Sequence, residues 1–376
     1  MINKTIFCLG ITDFGSDTPV GKDHLMMQYA KDNQVVMFNL SGNRAPTIKR
    51  GYDRKRLVRK VCNWFLFPKI INNIIIVYPV RFPFIGSKFF DIVNNGILYL
   101  YLAYYKSKYY SKSPIIFSLS PFYFGAIKRI KPEKIIYYVS DAYGMFSGIK
   151  ETTFNDYETK FISQCDGVIT VSELLFNKMQ RYNENVIKIF NASNPDMFAG
   201  KNFKKPDDMI KFKGVIVGCI GKFDDWYDLE FVDKLAKLNK NKNFVFVGPV
   251  MRAIDNIKSK NIFYLGQKIY TDIPNYIHSF DVCIIPYKNI ERIKTVDMPL
   301  KLLDFLSSGK PVIAKNINYI AENNHLYKIC NTIEDFNEKL NSYLNRSDSY
   351  KKARIQFALQ NSWEKRAEEI SNWLET

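Results

Sequence analysis

The sequence predicts an α/β protein built from two Rossmann-like halves. Apolar segments of strand length alternate with helical segments from Thr5–Ile11 onward, and several of the strands are followed by Gly, Asp or Asn. The alternation starts again at Val215–Ile220, after a polar and basic stretch that contains Pro206. A chain of 376 residues is long enough for two domains. We therefore predict a first domain at 1–200, a linker at 201–213, a second domain at 214–360 and a terminal helix at 361–376.

The first half opens as a strand, a loop of small polar residues, a helix and a second strand. The strand Thr5–Ile11 precedes the loop Asp13–Gly21 and the helix Asp23–Ala30. No GxGxxG or GxxxxGK[ST] pattern occurs, so the sequence indicates neither a dinucleotide site nor a P-loop. The further predicted elements are strands at Val35–Asn39, Pro114–Ser120, Ile135–Val139, Gly167–Val171 and Val186–Phe190, and helices at Thr152–Ser163 and from Ser172.

Polar residues that follow strands are the first candidates for a site, because ligands of open parallel sheets bind beyond the carboxyl ends of strands. Asp141 follows the predicted strand Ile135–Val139, where a partly desolvated carboxylate can act as a general base. The alternative for Asp141 is a structural one, a carboxylate that caps the next turn. Asp13 and His24, in and after the first loop, are the other candidates, although His24 fits a packing role equally well.

In the second half, residues 297–314 predict a helix followed by a buried strand. Pro299 suits the first helical turn, where its missing N–H costs nothing. Gly309 suits the position just past the helix, and Pro311 blocks its continuation. The other predicted elements are strands at Val215–Ile220, Phe244–Val247, Ile262–Leu265, Val282–Pro286 and Tyr327–Cys330, and helices at Leu229–Leu238, Ile273–Ser279, Ile333–Asn345 and Ser362–Leu374.

Four polar residues of this predicted helix share one face. Asp297, Lys301, Asp304 and Ser308 recur at intervals of three or four residues. The free N–H groups and the positive dipole end of a helix start suit a phosphate, and Lys301 adds a cation one turn in. Asp304 suits the hydroxyls of a sugar. The alternative is an ordinary amphipathic surface helix with a Lys–Asp pair.

The formal net charge of +17 is concentrated in one quarter of the chain. Residues 44–134 contain 18 Lys or Arg and three acidic residues, and large aromatic side chains lie among the bases. The pattern fits docking on an anionic membrane, binding of RNA or single-stranded DNA, or amphipathic helices with solvated bases. The aromatic residues form blocks rather than RNP-like strand motifs, which favours the membrane. The candidate membrane segments are Leu57–Phe67 and Phe89–Lys108.

The six cysteines are scattered and form no CxxC pair, which indicates a reducing compartment and no zinc site. The N-terminus lacks the features of a secretory signal, and no apolar run has the length needed to span a bilayer. We therefore expect a cytoplasmic protein that is held peripherally at the inner face of the cell membrane.

The second half resembles GT-B glycosyltransferases over residues 214–320, and the resemblance weakens toward the N-terminus. It is similar to the bacterial enzymes that build capsule, O-antigen, teichuronic acid or xanthan-type chains on lipid carriers. The resemblance implies two Rossmann-like domains that face a cleft, with a C-terminal helix that returns to the first domain. The motifs that carry it are Val217–Gly221, Phe246–Pro249, Leu265–Gly266, Phe280–Pro286, Pro299–Leu306 and Gly309–Val312.

The resemblance also implies which residues bind the donor, a nucleoside diphosphate sugar. Asp304 occupies the place of the family's acidic residue that holds the donor ribose. Lys301 and the amides of Met298, Pro299 and Leu300 fall where the donor diphosphate is held. Gly266 and Gln267 fall near the nucleobase pocket, and Gly221 and Lys222 near the donor phosphates or sugar.

Departures from the family pattern bear on the mechanism. Many retaining members carry two glutamates at a fixed spacing, whereas here the second position is Asp304 and the first falls on Val296. We therefore expect an inverting enzyme, with Asp141 as the base and His24 or Asp13 as alternatives. No convincing DxD motif is present, so a helix start and lysines are expected to stabilise the leaving diphosphate without a metal or other cofactor.

The expected partners are thus a nucleotide-sugar donor, a lipid-linked saccharide acceptor and an anionic membrane surface, with no nucleic acid. Two alternatives stay open. One is a sugar-nucleotide epimerase of the same architecture, which would use more acids and histidines than this sequence offers. The other is a nucleic-acid-binding protein that uses the basic and aromatic residues 44–134.

Overall fold

The computed structural model describes residues 1–11, 14, 19–40, 67–82, 86–109, 113–145, 150–200, 202–251, 257–318, 325–345 and 348–376. The chain divides into two compact units. The first consists of Met1–Ile189 together with Ala367–Thr376, and the second of Phe190–Arg366. Residues 202–213, most of the predicted linker, belong to the second unit, and Met209 and Phe212 are buried in its hydrophobic core.

An eight-stranded sheet forms the centre of the first unit. Its strands are β1 (Thr5–Gly10), β2 (Gln34–Asn39), β3 (Lys69–Ile71), β4 (Ile74–Val77), β5 (Ile115–Ser118), β6 (Lys134–Val139), β7 (Gly167–Thr170) and β8 (Val186–Lys188). The order is β3-β4-β2-β1-β5-β6-β7-β8, and every pair is parallel except β3 with β4. The central strands are buried along nearly their whole length, which explains why they read as continuous apolar runs.

The helices described in this unit are α1 (Gly21–Tyr29), α2 (Lys88–Lys108), α3 (Phe124–Arg129), α4 (Glu151–Ile162) and α5 (Glu173–Met179). Ser172 caps α5 by accepting a hydrogen bond from the Leu175 N–H. Each helix lies between two strands or follows one, as the alternating sequence predicts. None of the helices in the described part of the chain combines the length and hydropathy that crossing a bilayer requires.

A six-stranded parallel sheet forms the centre of the second unit. Its strands are β9 (Ile216–Ile220), β10 (Asn243–Val247), β11 (Ile262–Tyr264), β12 (Val282–Pro286), β13 (Val312–Lys315) and β14 (Lys328–Ile329), in the order β11-β10-β9-β12-β13-β14. The described helices are α6 (Pro195–Phe198), α7 (Leu229–Leu238), α8 (Ile273–His278), α9 (Glu291–Lys294), α10 (Leu300–Ser307), α11 (Ile333–Asn345), α12 (Lys351–Gln360) and α13 (Trp363–Glu375). Because all six strands are parallel, their carboxyl ends meet at one edge.

The last helix, α13, starts in the second unit and ends in the first. The Tyr29 hydroxyl donates a hydrogen bond to the Ala367 carbonyl oxygen at 3.4 Å, and the Trp373 indole N–H donates to Asn185 Oδ1 at 2.8 Å. The Lys134 ammonium donates to the Leu374 carbonyl oxygen. The predicted return of the terminal helix to the first domain is therefore confirmed.

Candidate functional site

Three glycines lie at the carboxyl edge of the second sheet. Gly221, Gly248 and Gly266 follow the neighbouring strands β9, β10 and β11. The Gly221 N–H donates to the Val247 carbonyl oxygen at 3.0 Å, and the Gly248 N–H donates to the Gly266 carbonyl oxygen at 2.8 Å. Gly248 has a φ of +141°, and a Cβ atom there would collide with the Gly221 carbonyl. Glycine at this position therefore lets two loops approach closely and leaves a side-chain-free edge.

The Lys301 ammonium is held beside this edge. It donates a hydrogen bond to the Tyr227 hydroxyl, which in turn donates to the Ile220 carbonyl oxygen at 3.3 Å. The ammonium also lies 4.6 Å from the centre of the Tyr227 ring and 5.3 Å from that of Tyr287. Gly221 makes room for it, since a Cβ there would overlap the ammonium and the Tyr227 hydroxyl. Two aromatic faces and one hydroxyl thus fix a cation at the end of β9.

Lys301 is placed by α10, whose two ends are set by its sequence. Pro299 is the N-cap residue and has extended backbone angles, so the helix begins at Leu300 rather than at Asp297. At the other end, the Gly309 N–H bonds to the Leu306 carbonyl oxygen and the Lys310 N–H to that of Phe305, with Gly309 at a φ of +70°. This pairing is a Schellman motif, and it requires a residue that tolerates positive φ.

Asp304 lies one turn beyond Lys301 and is 8% exposed. Residues 302–307 of α10 are all buried, so the helix is not the amphipathic surface element that was the alternative interpretation. Burial raises the pKa of the Asp304 carboxyl to about 7, against the opposing effects of the Ser193 hydroxyl and the Lys301 ammonium. A carboxyl group kept at this energetic cost is a candidate for function.

The Asp304 carboxylate is part of a chain of hydroxyl groups. The Ser193 hydroxyl donates to Asp304 Oδ1 at 3.0 Å and accepts from the Ser307 hydroxyl at 2.9 Å. Asn191, close by in the same segment, donates to the Met298 carbonyl oxygen at 3.0 Å. Residues 191–193 therefore hold α10 at its N-terminus and at its acidic side chain.

The other predicted donor residues differ in exposure. Lys222 and Gln267 are exposed, beside Gly221 and Gly266 respectively, whereas Met298 and Pro299 are buried and Leu300 is half-buried. Asp297, which had no assigned role, is buried and accepts a hydrogen bond from the Asn318 amide outside the helix. The structure thus brings Gly221 and Lys301 into contact, sets Asp304 one turn away, and leaves Lys222 and Gln267 open to solvent.

In the first unit, Asp141 follows β6 as predicted. Asp141 is half-buried, and its Oδ1 accepts a hydrogen bond from the Ala142 N–H at 2.9 Å. This contact joins neighbouring residues and does not cap the following turn, so the roles of Asp141 as a base and as a turn cap both stay predictions.

His24 lies in the first turn of α1 and is 3% exposed. Burial lowers the pKa of its imidazole to about 4, so the ring is neutral at pH 7. The preceding residues Lys22 and Asp23 are also buried and form an ion pair. Asp13 lies outside the described residues. Among the residues that are described, no cluster of His, Cys, Asp or Glu could hold a metal ion.

Known proteins with similar sequences and structures agree on the fold. Sucrose-phosphate synthase from Thermosynechococcus elongatus superposes with a TM-score of 0.70 at 13% identity, covering 99% of this chain and 98% of that one. HepE from Anabaena, in complex with UDP and glucose, gives 0.68 at 12% identity and covers both chains fully. Residues 214–346 match the family described as glycosyl transferases group 1. The chain therefore has the GT-B fold, and its residues 214–346 are similar to the glycosyl transferases of group 1.

One curated relative is similar to this chain in sequence. A putative teichuronic acid biosynthesis glycosyltransferase of Bacillus subtilis (strain 168), TuaH, is 24% identical over 204 residues. The match covers 49% of this chain and 51% of TuaH, so the chain spans about half the length of that relative. The matched residues 214–346 include the glycine edge, Lys301 and Asp304, whereas Asp141 and His24 lie outside them.

Two residues that shape the site were not predicted from the sequence. The sequence predicted no role for Tyr227, whose ring and hydroxyl contact Lys301. The sequence likewise predicted no role for Ser193, whose hydroxyl contacts Asp304. Both contacts join residues more than 70 positions apart, and a single sequence carries no signal for such pairs.

Proposed function

We propose that the protein transfers a sugar from a nucleoside diphosphate sugar to a saccharide acceptor on a lipid carrier, in bacterial surface polysaccharide synthesis. The observation that carries the proposal is the Lys301 ammonium fixed at the carboxyl end of β9, with the Asp304 carboxyl one turn further along the same helix. A cation for a diphosphate and an acid for a ribose are the two groups that a nucleotide-sugar site needs. The match to TuaH supports the polysaccharide role.

The proposed chemistry places the leaving diphosphate at the start of α10. The first N–H groups of a helix have no acceptor within the helix, and its dipole is positive at that end. Lys301 adds a cation that lies beside two aromatic rings, and the exposed Lys222 can add a second. Preorganised positive charge of this kind stabilises the diphosphate as it departs, so we propose a reaction without a metal or other cofactor.

Replacing Lys301 by Ala tests the donor site. A thermal-shift screen of UDP-, GDP- and dTDP-sugars identifies the donor, because a ligand that binds the folded state raises the unfolding temperature. In Lys301→Ala we expect the donor-induced shift to disappear and kcat/KM for transfer to fall by about 10²- to 10³-fold. Lys294→Ala, which removes an exposed lysine paired with Glu291, is the matched control and should behave like the wild type. A full thermal shift in Lys301→Ala would contradict the assignment.

For the acceptor hydroxyl we propose Asp141 as the base of an inverting reaction. Removal of a general base typically costs about 10²- to 10⁴-fold in rate. Asp141→Asn should therefore lose transfer to lipid-linked acceptors from membrane extracts while the donor-induced thermal shift is retained. The exposed Asp156 of α4 provides the control, Asp156→Asn, in which transfer should persist. Full turnover of Asp141→Asn would move the base to His24 or Asp13.

Membrane attachment is the last part of the proposal, and α2 supports it. Phe89, Ile92, Leu100 and Tyr104 are 58–73% exposed and recur at helical spacing along one side of α2. Leu98, Leu102 and Tyr105 on the opposite side are buried. An apolar stripe on a basic domain suits the interface of an anionic bilayer, where the lipid-linked acceptor resides, so we propose a peripheral protein at the cytoplasmic membrane face. The other candidate segment, Leu57–Phe67, lies outside the described residues except for the exposed Phe67.

A further inference from the structure

Ser193 makes a contact with Asp304 that the proposed donor site does not by itself require. Ser193 is 1% exposed, and its hydroxyl hydrogen is directed to Asp304 Oδ1 at 3.0 Å. The Ser307 hydroxyl donates to Ser193 Oγ at 2.9 Å, which orients the serine so that its own proton points to the carboxylate. The three side chains form a directed relay that ends on one oxygen of Asp304.

The backbone of Ser193 is fixed as firmly as its side chain. Its N–H donates to the Asn361 carbonyl oxygen at 3.2 Å, and its carbonyl oxygen accepts from the Trp363 N–H at 3.1 Å. Both partners belong to the junction between α12 and α13, which runs alongside Ser193 as a parallel bridge at Ser362. The main chain of Ser193 is therefore held in place, and its hydroxyl can move only by rotation about the Cα–Cβ bond, which would break the hydrogen bonds to Asp304 and Ser307.

We propose that Ser193 is a positioning residue for Asp304: its hydrogen bond to Oδ1 favours the ionised carboxylate and keeps Oδ2 directed at the ribose hydroxyls of the donor. This inference rests on the proposed function, in which Asp304 binds the donor ribose. Among the described residues, the side-chain hydrogen bond to the Asp304 carboxylate ends on Oδ1, and the proposal assigns Oδ2 to the ligand. A bound hydroxyl on one oxygen restricts rotation of the carboxylate, which lowers the ordering cost when a ligand binds the other.

The electrostatics around Asp304 support this role. Burial raises the pKa of the Asp304 carboxyl, and the Ser193 hydroxyl and the Lys301 ammonium lower it, with a net result of about 7. The Tyr270 hydroxyl is a further titratable group that faces this carboxyl. Among the described residues, the helices packed on α10, namely α6 and α12, add no other charge that acts on this carboxyl. Since a hydrogen bond to an ionised carboxylate favours the charged form, loss of the Ser193 hydroxyl should raise the Asp304 pKa further.

The test compares three serine-to-alanine variants that each delete one buried hydroxyl. Ser193→Ala removes the direct donor to Oδ1, Ser307→Ala removes the group that orients it, and Ser308→Ala removes a hydroxyl that donates to the main-chain oxygen of Asp304 at 3.0 Å. Ser308→Ala is therefore the matched control, since it deletes the same atom next to the same residue without touching the carboxylate.

The first measurement is a ¹³C titration of the carboxyl carbons in aspartate-labelled protein, with the Asp304 signal assigned by its absence in Asp304→Asn. We expect the Asp304 pKa to rise by about one unit in Ser193→Ala, by less in Ser307→Ala and not at all in Ser308→Ala. Identical titrations in Ser193→Ala and Ser308→Ala would overturn the positioning role, whatever the protein's activity is.

The second measurement is the pH dependence of the dissociation constants of UDP, GDP and dTDP. For the nucleotide that binds, Ser193→Ala should weaken affinity about fivefold relative to the wild type at pH 7, and the difference should narrow by pH 9, where both carboxyls are ionised. A loss that is the same at pH 7 and pH 9 would overturn the inference, because it would reflect packing alone. If Asp304→Asn bound the nucleotide like the wild type, the ribose assignment would fail, while the ¹³C titration would still report on the contact.

Discussion

At the residue scale, the buried Asp304 carboxyl lowers the stability of the folded protein, while its charge is suited to binding a ligand. Its carboxyl is buried in α10, where ionisation is unfavourable, and the Ser193 hydroxyl and the Lys301 ammonium offset only part of that cost. A neutral side chain of the same shape would serve the fold better. The cost is therefore consistent with a ligand that uses the charge, as expected for a group that binds ribose hydroxyls.

Asp304→Asn should stabilise the free protein with a specific pH dependence. Because the pKa of the folded carboxyl is raised to about 7 and that of the unfolded chain is near 4, the wild type loses stability as the pH rises from about 4 to 7. The asparagine variant has no such loss. The difference in free energy of unfolding should grow across this window to about 2–4 kcal/mol and stay constant above it. Urea unfolding at pH 4.5, 6, 7 and 8 measures it, and a difference that does not change with pH would contradict the raised pKa.

At the element scale, the sequence predicts best where local chemistry sets a boundary. Gly309 and Pro311 predicted the end of α10, and the Schellman motif confirms it. The start was predicted at Asp297 but lies at Leu300, because Pro299 stays extended and the preceding residues bond elsewhere. A missing N–H permits proline in a first turn without requiring the turn to form, so the sequence alone left the boundary open.

Two elements were missed for physical reasons that the structure makes plain. The sequence analysis predicted no hairpin at Asn72 and Asn73, yet both residues have positive φ and join β3 to β4 as a two-residue turn. The helix α12 was missed because a charged residue, Arg354, points into the core. Its guanidinium donates to the carbonyl oxygens of Leu326 and Gly309 and pairs with Asp348, which no hydrophobic periodicity reveals.

At the scale of the whole molecule, charge and exposed apolar surface occur in the same unit. The first unit carries the exposed apolar side chains of α2, and the exposed Ile70 of β3 adds a further one. Residues 44–134, which hold most of the net charge of +17, belong to it as well. Either property alone gives weak membrane binding, whereas the two together reinforce each other on an anionic surface.

The joint requirement can be tested with vesicles. Nuclease-treated protein should sediment with vesicles that contain phosphatidylglycerol and much less with phosphatidylcholine alone, and added salt should release it. The double variant Ile92→Glu with Leu100→Glu should weaken binding at least about tenfold, because it removes two large apolar side chains from the interface and adds two negative charges.

Leu238→Glu, which changes an exposed leucine of the second unit, is the control and should bind nearly as the wild type does. If the double variant sedimented like the control, α2 would not be the docking element. If binding required RNA, the basic residues would belong to a nucleic-acid surface, and the lipid-linked acceptor would lose its main physical support.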